Sequence, residues 1–311
     1  MTSARHSDDP AFAATTARAA GAVTGRPPEK PHVTGGGAKR GLKRILLVLP
    51  LVALVLWTLA PFLVTMSVSL KNRAEVFADP SLIPSNPNLD AYREVLSSDS
   101  FTTSFLNSVI VGVGTTILTL LIGVPAAYAF ARFRFRGRHL LLLFTLLPRL
   151  VPSLGIMVPI YRLAVALGLL DKRITLIVVY TGMLLPLAVW LMVGFFQQIP
   201  REIEEAANVD GATLWGRLRY IVAPLAAPAM ITIGVLAFRE AWNEFTLVLV
   251  LTSTPGARTL PYELYLMQGV AGIANFPAEA AFTILTVLPF ILIYTRVEKY
   301  VVAGLVSGSG K

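Results

Sequence analysis

Residues 200–224 read PREIEEAANVDGATLWGRLRYIVAP and form the most polar segment in the second half of a very apolar chain. Pro200 suits the first position of a helix, and the glutamates after it fall where carboxylates complement the helix dipole. Gly211 can adopt the left-handed conformation that ends a helix. An apolar stripe then marks a second helix, at Leu214, Leu218 and Val222. The segment therefore predicts two short helices joined at a glycine.

The composition places the chain among membrane proteins. Hydrophobic residues make up 55% of 311 positions and charged residues only 14%, whereas a soluble domain averages about 25% charged. The absence of cysteine excludes disulfides, thiolate metal sites and cysteine nucleophiles. The three histidines lie in the N-terminal region and in one loop, where they cannot meet a serine and an acid. No metal site and no catalytic set is predicted.

Six apolar segments predict an all-α, polytopic fold, because a membrane span needs about 20 apolar residues. The predicted spans are residues 45–70, 104–131, 140–163, 174–197, 224–251 and 280–295. Residues 1–40 lack apolar periodicity and are predicted to be a disordered tail, which leaves 41–311 for the six-span domain. Glycines in the second span predict close helix contacts, at Gly112, Gly114 and Gly123.

The distribution of Lys and Arg predicts the orientation. With the N-terminus in the cytoplasm, 18 of the 27 basic residues lie on the inner side and six on the outer side. The outer six are Lys71, Arg73, Arg93, Lys172, Arg173 and Arg258, and Arg149, Arg162 and Arg239 lie within or at the ends of spans. Cytoplasmic loops carry the excess of positive charge. Both termini and the 200–224 loop are therefore predicted to be cytoplasmic.

The 200–224 segment also resembles a known motif. Glu205-Ala206-Ala207, followed at fixed spacing by Gly211, Ile221 and Pro224, resembles the EAA loop of permeases from ABC importers. The Asp210-Gly211-Ala212 run is most similar to the carbohydrate, maltose-type branch. One departure is visible, since the Ile-x-Leu-Pro ending of the family has alanine at position 223 here. The alternative is an ordinary helical hairpin that a glycine caps.

This resemblance implies a permease subunit, not an enzyme, in an ATP-driven importer of a sugar or oligosaccharide in a prokaryotic plasma membrane. It implies two ATPase subunits as a homodimer, a second homologous permease and an external solute-binding protein, with ATP used by the partner ATPase and no cofactor bound by this chain. The loop at 252–279 would face the binding protein. The implied ATPase-coupling residues are Glu204, Glu205, Ala206, Ala207, Asp210, Gly211, Ile221 and Pro224.

Charged residues inside the spans indicate a translocation path or a structural pairing. A charge at the centre of a span costs about 2.5–3.5 kcal/mol on insertion scales, so it normally lines a path or pairs. The candidate path residues are Asn107, Arg149, Asn243 and Glu244. Structural pairing, or a position near the outer interface, explains the charges equally well. Arg239 and Glu240 are expected not to face each other, and Glu240 and Glu244 to lie one turn apart.

Three other functions are compatible with parts of the sequence. An ABC permease could carry a polyamine or an amino acid. A secondary transporter could use Glu240 or Glu244 to carry protons, but the sequence shows no inverted repeat to favour it. The alternating arginines and aromatics of residues 132–138 could bind a nucleic acid. A short cytoplasmic turn explains that run better, so membrane lipid is the expected contact and nucleic acid is not.

Overall fold

The computed structural model describes residues 36–269 and 275–309, and all regular structure within these ranges is helical. The predicted all-α class is confirmed. The chain divides into two compact units, residues 1–59 and 60–311. Residues 1–35 of the predicted tail lie outside the described ranges, and residues 36–40 already belong to the first helix.

The helices follow one another with short connections. In chain order they are α1 (Gly36–Ser69), α2 (Arg73–Ala78), α3 (Asp90–Leu96), α4 (Asp99–Arg132), α5 (Arg138–Leu146), α6 (Ser153–Ala166), α7 (Arg173–Gln198), α8 (Arg201–Val209), α9 (Leu214–Arg217), α10 (Ala223–Leu225), α11 (Ala227–Asn243), α12 (Thr246–Leu251), α13 (Leu260–Gly269) and α14 (Phe276–Ser309). A 3-10 turn, Leu147–Leu150, follows α5, and a π-helical turn, Leu218–Val222, follows α9.

Four helical segments are long and apolar enough to cross a membrane. They are Val48–Ser69, Asp99–Arg132, Arg173–Gln198 and Phe276–Glu298. Two bent helix pairs bring the number to six if each pair counts as one span: Arg138–Leu150 with Leu154–Ala166, bent by 95°, and Leu214–Leu225 with Ala227–Asn243, bent by 79°. The described helices thus include four to six candidate spans.

The segment predicted as a continuous fifth span, 224–251, is divided in the structure. A bend at Ala226 separates α10 from α11, and α11 ends at Asn243. Prolines explain the first break, because Pro224 and Pro228 have no N–H to donate to the helix. At the second break the Glu244 carboxylate accepts hydrogen bonds from the Leu247 amide at 2.9 Å and the Val248 amide at 3.2 Å. These bonds begin α12 as a separate helix.

Within the unit of residues 60–311, α4 packs lengthwise against α7 and α11. Two glycines allow this approach. A Cβ placed on Gly112 would lie 2.8 Å from Phe238 Cε2, and one on Gly114 would lie 2.7 Å from Ile177 Cδ1. Gly123 faces Leu185 and Ala188 at ordinary contact distances of 3.5 and 3.8 Å. The predicted role of these glycines in close helix contact is confirmed.

Replacing Gly112 tests how tightly α4 and α11 are packed. Gly112→Val would force its side chain into the stiff ring of Phe238, so we expect a destabilisation of about 1–3 kcal/mol, the usual cost of overpacking. The measurement is the thermal unfolding midpoint of the purified protein in detergent. Gly194→Val is the matched control, because Gly194 is exposed and has no atom within 4 Å of its Cβ position. Equal midpoints for the two variants would contradict the close contact.

Candidate functional site

The 200–224 loop folds as its sequence predicts. Pro200 precedes α8, and Gly211 has a φ of +83°, the left-handed conformation expected at the end of that helix. The Ala212 amide donates to the Ala207 carbonyl at 2.9 Å, which closes the helix end. Thr213 starts α9 by accepting a hydrogen bond from the Gly216 amide at 3.1 Å. Two short helices joined at Gly211 are therefore confirmed.

One side of this loop faces the spans. Glu204 is 6% exposed, and its Oε1 lies 2.6 Å from Nη2 of Arg132, the last residue of α4. Tyr128, one turn earlier in α4, donates its hydroxyl to Glu204 Oε2 at 2.7 Å. Arg132 Nη2 also donates to the Ile199 carbonyl, just after α7, at 3.1 Å. A buried carboxylate thus connects α8 with the adjoining ends of α4 and α7.

Apolar side chains complete the inner side of the loop. Ala207, Leu218 and Val222 are buried. Leu218 and Val222 belong to a core cluster that includes Tyr128 and Phe196. The rings of Tyr128 and Phe196 meet edge to face, with centroids 6.0 Å apart. The second helix of the loop is therefore anchored in the core that α4 and α7 share.

The opposite side of the loop is exposed. Glu205, Ala206, Asp210 and Gly211 are all exposed, and Pro224 is exposed at the end of the loop. Large apolar side chains accompany them: Val209 is 87% exposed, Tyr220 72% and Trp215 61%. Leu214, predicted on the same stripe as the buried Leu218 and Val222, is 47% exposed, so that prediction is wrong for Leu214. Exposed apolar residues concentrated in one segment indicate an interaction surface. We call this set of exposed residues the exposed loop face: Glu205, Ala206, Val209, Asp210, Gly211, Leu214, Trp215 and Tyr220.

The resemblance implied a coupling role for both Glu204 and Glu205, and the structure places them on different surfaces, as adjacent positions on a helix predict. Glu204 points into the protein and Glu205 out of it, with no ion pair between Glu205 and Arg201 one turn before. Arg132 and Tyr128 were not recognised as partners of the loop. The sequence predicts Arg132 only as one of the basic residues of the cytoplasmic turn at 132–138. Ile221 is partly buried, between the buried Leu218 and Val222 and the exposed Tyr220.

The candidate path residues fall into two groups. Arg149 and Glu244 line one cavity of about 550 Å³ between the 3-10 turn, α7 and α11, and Glu240 lines it with them. Asn243 is exposed and donates to the Arg239 carbonyl at 2.8 Å. Asn107 is buried and donates to the Pro255 and Arg258 carbonyls at 3.2 and 2.8 Å. Asn107 therefore holds the segment after α12 against α4, and neither asparagine is among the described residues that line this cavity.

Most of the charges around this cavity have partners. Tyr180 donates its hydroxyl to Glu244 Oε2 at 2.8 Å, in addition to the backbone amides of α12. Arg239 Nη1 lies 2.8 Å from Glu240 Oε1. The expectation that these two neighbours cannot face each other is wrong, because both side chains are long enough for their charged ends to meet. Arg149 has no ion-pair partner within the described ranges.

Asp171 connects the turn before α7 to the segment after α12. Its carboxylate accepts from the Ser253 amide and hydroxyl, both at 2.6 Å, and from the Thr254 amide at 2.9 Å. Its backbone has a φ of +58°, and Asp171 is the one non-glycine residue with positive φ within the described ranges. Burial alone would raise the pKa of this carboxyl, but the hydrogen bonds outweigh burial and hold the pKa below its usual value. Asp171 is therefore charged at neutral pH, and it holds the turn before α7 against Ser253 and Thr254 of the segment after α12.

Fold and composition define a helical protein that passes several times through a membrane. Residues 119–306 match the family described as "Binding-protein-dependent transport system inner membrane component". The chain belongs to this family, and it is a multi-pass protein of the plasma membrane. The resemblance seen in residues 205–224 is thereby confirmed at the level of the family.

Named relatives agree with this assignment. The chain is 36% identical to the trehalose transport system permease protein SugB of Mycobacterium tuberculosis, over 82% of this chain and 93% of that protein. It is 32% identical to the trehalose/maltose transport system permease protein MalG of Thermococcus litoralis, over 87% and 98%. A crystal structure of a bacterial ABC transporter that imports the acidic polysaccharide alginate superposes with a TM-score of 0.74 at 26% identity, covering 84% of this chain and 97% of that one.

The left-handed conformation of Gly211 makes a specific test of the loop. Gly211→Val should strain the backbone by about 1–3 kcal/mol, because a β-branched residue disfavours positive φ. We expect uptake to be abolished with membrane insertion intact. Gly211→Asn is the matched control, since asparagine tolerates the left-handed region. Wild-type uptake by the valine variant, or equal losses in both variants, would refute a role for this conformation.

Proposed function

We propose that this chain is a permease subunit of an ATP-driven sugar importer. The relatives that match most of its length are named as permeases for trehalose and for trehalose or maltose. The family to which it belongs is described as dependent on a binding protein. Membership of this family disfavours a secondary transporter driven by an ion gradient.

Uptake should therefore fail when ATP is depleted and persist when an uncoupler removes the ion gradient.

The exposed loop face is the proposed docking surface for the ATPase. Its exposure is the main observation that supports coupling between this loop and the ATPase. The positive charge of the flanking segments favours a cytoplasmic position for this loop. Exposed Trp215 and Tyr220 are residue types that form the centres of protein interfaces. Ala206 is small enough to let the loop enter a cleft, and Glu205 adds a charged contact at its edge. ATPase closure would then push on this face.

The importer would hold two ATPase subunits, expected as a homodimer, and a second permease homologous to this chain. ATP would be used by the ATPase subunits, with no cofactor bound by this chain. Alternating access follows if the spans attached to the loop rock when the ATPase closes. The external solute-binding protein would dock on the opposite side, on the segment that begins at Thr252 and that Asp171 and Asn107 hold in place.

The cavity beside Arg149 is the proposed part of the translocation path. The Arg149 guanidinium supplies hydrogen-bond donors to this cavity, and the Glu240 and Glu244 carboxylates supply acceptors. Sugar hydroxyls both donate and accept, so this mixture suits a polyhydroxylated solute. Arg149 and Glu244 carry opposite charges and Glu240 is paired with Arg239, so the cavity offers no excess of negative charge to attract a polyamine. These features favour a carbohydrate over the alternative solutes.

Truncating Glu205 tests the docking surface. Glu205→Ala should weaken ATPase binding or uncouple hydrolysis from uptake, because losing one side of a desolvated charge contact costs about 2–5 kcal/mol. The measurements are co-purification with the ATPase and ATP hydrolysis by the purified complex. Glu298→Ala is the matched control, an exposed carboxylate outside the loop that is predicted to lie on the same membrane side. Wild-type association, hydrolysis and uptake in Glu205→Ala would reduce Glu205 to a solvated helix residue.

Removing the unpaired guanidinium tests the proposed path. Arg149→Ala should lower uptake by about tenfold or more, because a hydrogen bond to a charged group contributes about 1.5–3 kcal/mol. Assembly with the ATPase should be unchanged, whereas a purely structural role for Arg149 would impair it. Arg162→Ala is the control, since Arg162 is exposed on α6 and is not a described residue of the cavity. Unchanged uptake in Arg149→Ala would remove Arg149 from the path.

A further inference from the structure

We infer that Arg132, Glu204 and Tyr128 form a latch that transmits motion of the loop to the spans. This inference rests on the proposed coupling role of the 200–224 loop and adds positioning residues to it. Glu204 is buried on the side of α8 opposite the exposed loop face. Its carboxylate is therefore placed to act on the spans and not on a docked ATPase.

The latch joins three helices through one guanidinium. Arg132 Nη2 lies 2.6 Å from Glu204 Oε1 and 3.1 Å from the Ile199 carbonyl oxygen. Tyr128 adds its hydroxyl bond to the other carboxylate oxygen at 2.7 Å. The end of α4, the end of α7 and the middle of α8 thus meet at a single point. A displacement of α8 must carry both spans with it or break the ion pair.

Directional contacts are needed for this role. Leu218 and Val222 also hold the loop against the core, but apolar contacts are non-directional and allow one surface to slide over another. The Arg132 and Glu204 side chains are only 10% and 8% exposed, so their attraction is poorly screened by water. The ion pair therefore fixes the position of α8, whereas packing alone keeps it attached.

The latch is not arranged for maximal stability. Arg132 Nε is buried without a hydrogen bond, so the guanidinium does not use all of its donors in the pair. Apolar residues of similar length at such a site are often neutral or stabilising in comparison. A buried polar group without a hydrogen bond calls for a functional explanation. The transmission of force supplies one.

The experiment measures coupling without knowledge of the transported sugar. The chain contains no cysteine, so Met183→Cys places a single thiol beside the cavity that Met183 lines. The full importer is purified with its ATPase, and maleimide labelling is timed with and without ATP and orthovanadate, which trap the nucleotide. Trapping the nucleotide should change the labelling rate of the Met183→Cys protein that carries no other substitution. An unchanged rate in that protein would overturn the latch, because there would be no motion to transmit.

The decisive variant removes both charges together, as Arg132→Met with Glu204→Met. Neither charge of the pair is then left buried without its partner, so we expect co-purification with the ATPase and the thermal midpoint to be retained. The effect of nucleotide on labelling should fall at least about fivefold, the lower end of the range typical of coupled sites. Arg134→Met is the matched control, an exposed arginine two residues beyond α4. It should leave the nucleotide effect unchanged.

Three outcomes would overturn the latch. The first is a wild-type nucleotide effect in the double variant, which would make the ion pair structural only. The second is loss of assembly in the double variant. The third is loss of ATPase binding in Glu204→Gln, which would place Glu204 in the docking contact. A failure of the docking proposal appears separately, as wild-type behaviour of Glu205→Ala, so the two failures are distinguishable.

Discussion

A membrane leaves backbone N–H and C=O groups no water to bond, and the whole structure depends on this constraint. A continuous helix satisfies every such group within itself. The described spans meet the requirement in two ways. α4 and α7 run unbroken for 34 and 26 residues. The segments around α5 and α11 are bent, and each bend lies beside prolines or a polar side chain.

The polar side chains at these bends provide what the backbone lacks. Glu244 accepts from two amides of α12, at the point where the helix would otherwise have continued. Away from these bends, Asn107 in α4 donates to two carbonyls of the segment after α12, where regular structure ends. Broken helices at membrane depth are tolerated where they line a cavity or are buried in protein. The cavity beside Arg149 lies next to one such break, which connects the backbone irregularity with the proposed path.

The 200–224 loop combines two different surfaces on nine-residue α8 and the short helix after it. Its inner side carries a charge that pairs with a span, together with apolar residues in the core. Its outer side carries a second carboxylate and exposed aromatic residues. Adjacent residues on a helix point about 100° apart, so Glu204 and Glu205 can serve the two surfaces without interfering. This division leaves the outer side of the loop free for the proposed ATPase contact while the inner side stays fixed to the spans.

The sequence by itself determined the all-α class, the family motif and the left-handed glycine at position 211. These features depend on composition and on residues close together in the chain, since a helix end needs only the local freedom of glycine. It also marked most of the long apolar helices. Only the tertiary structure decided that Glu204 pairs with Arg132, that Arg149 and Glu244 share a cavity, and that Asn107 holds a loop instead. Helical periodicity shows which residues share one face, but it does not show which faces of distant helices meet.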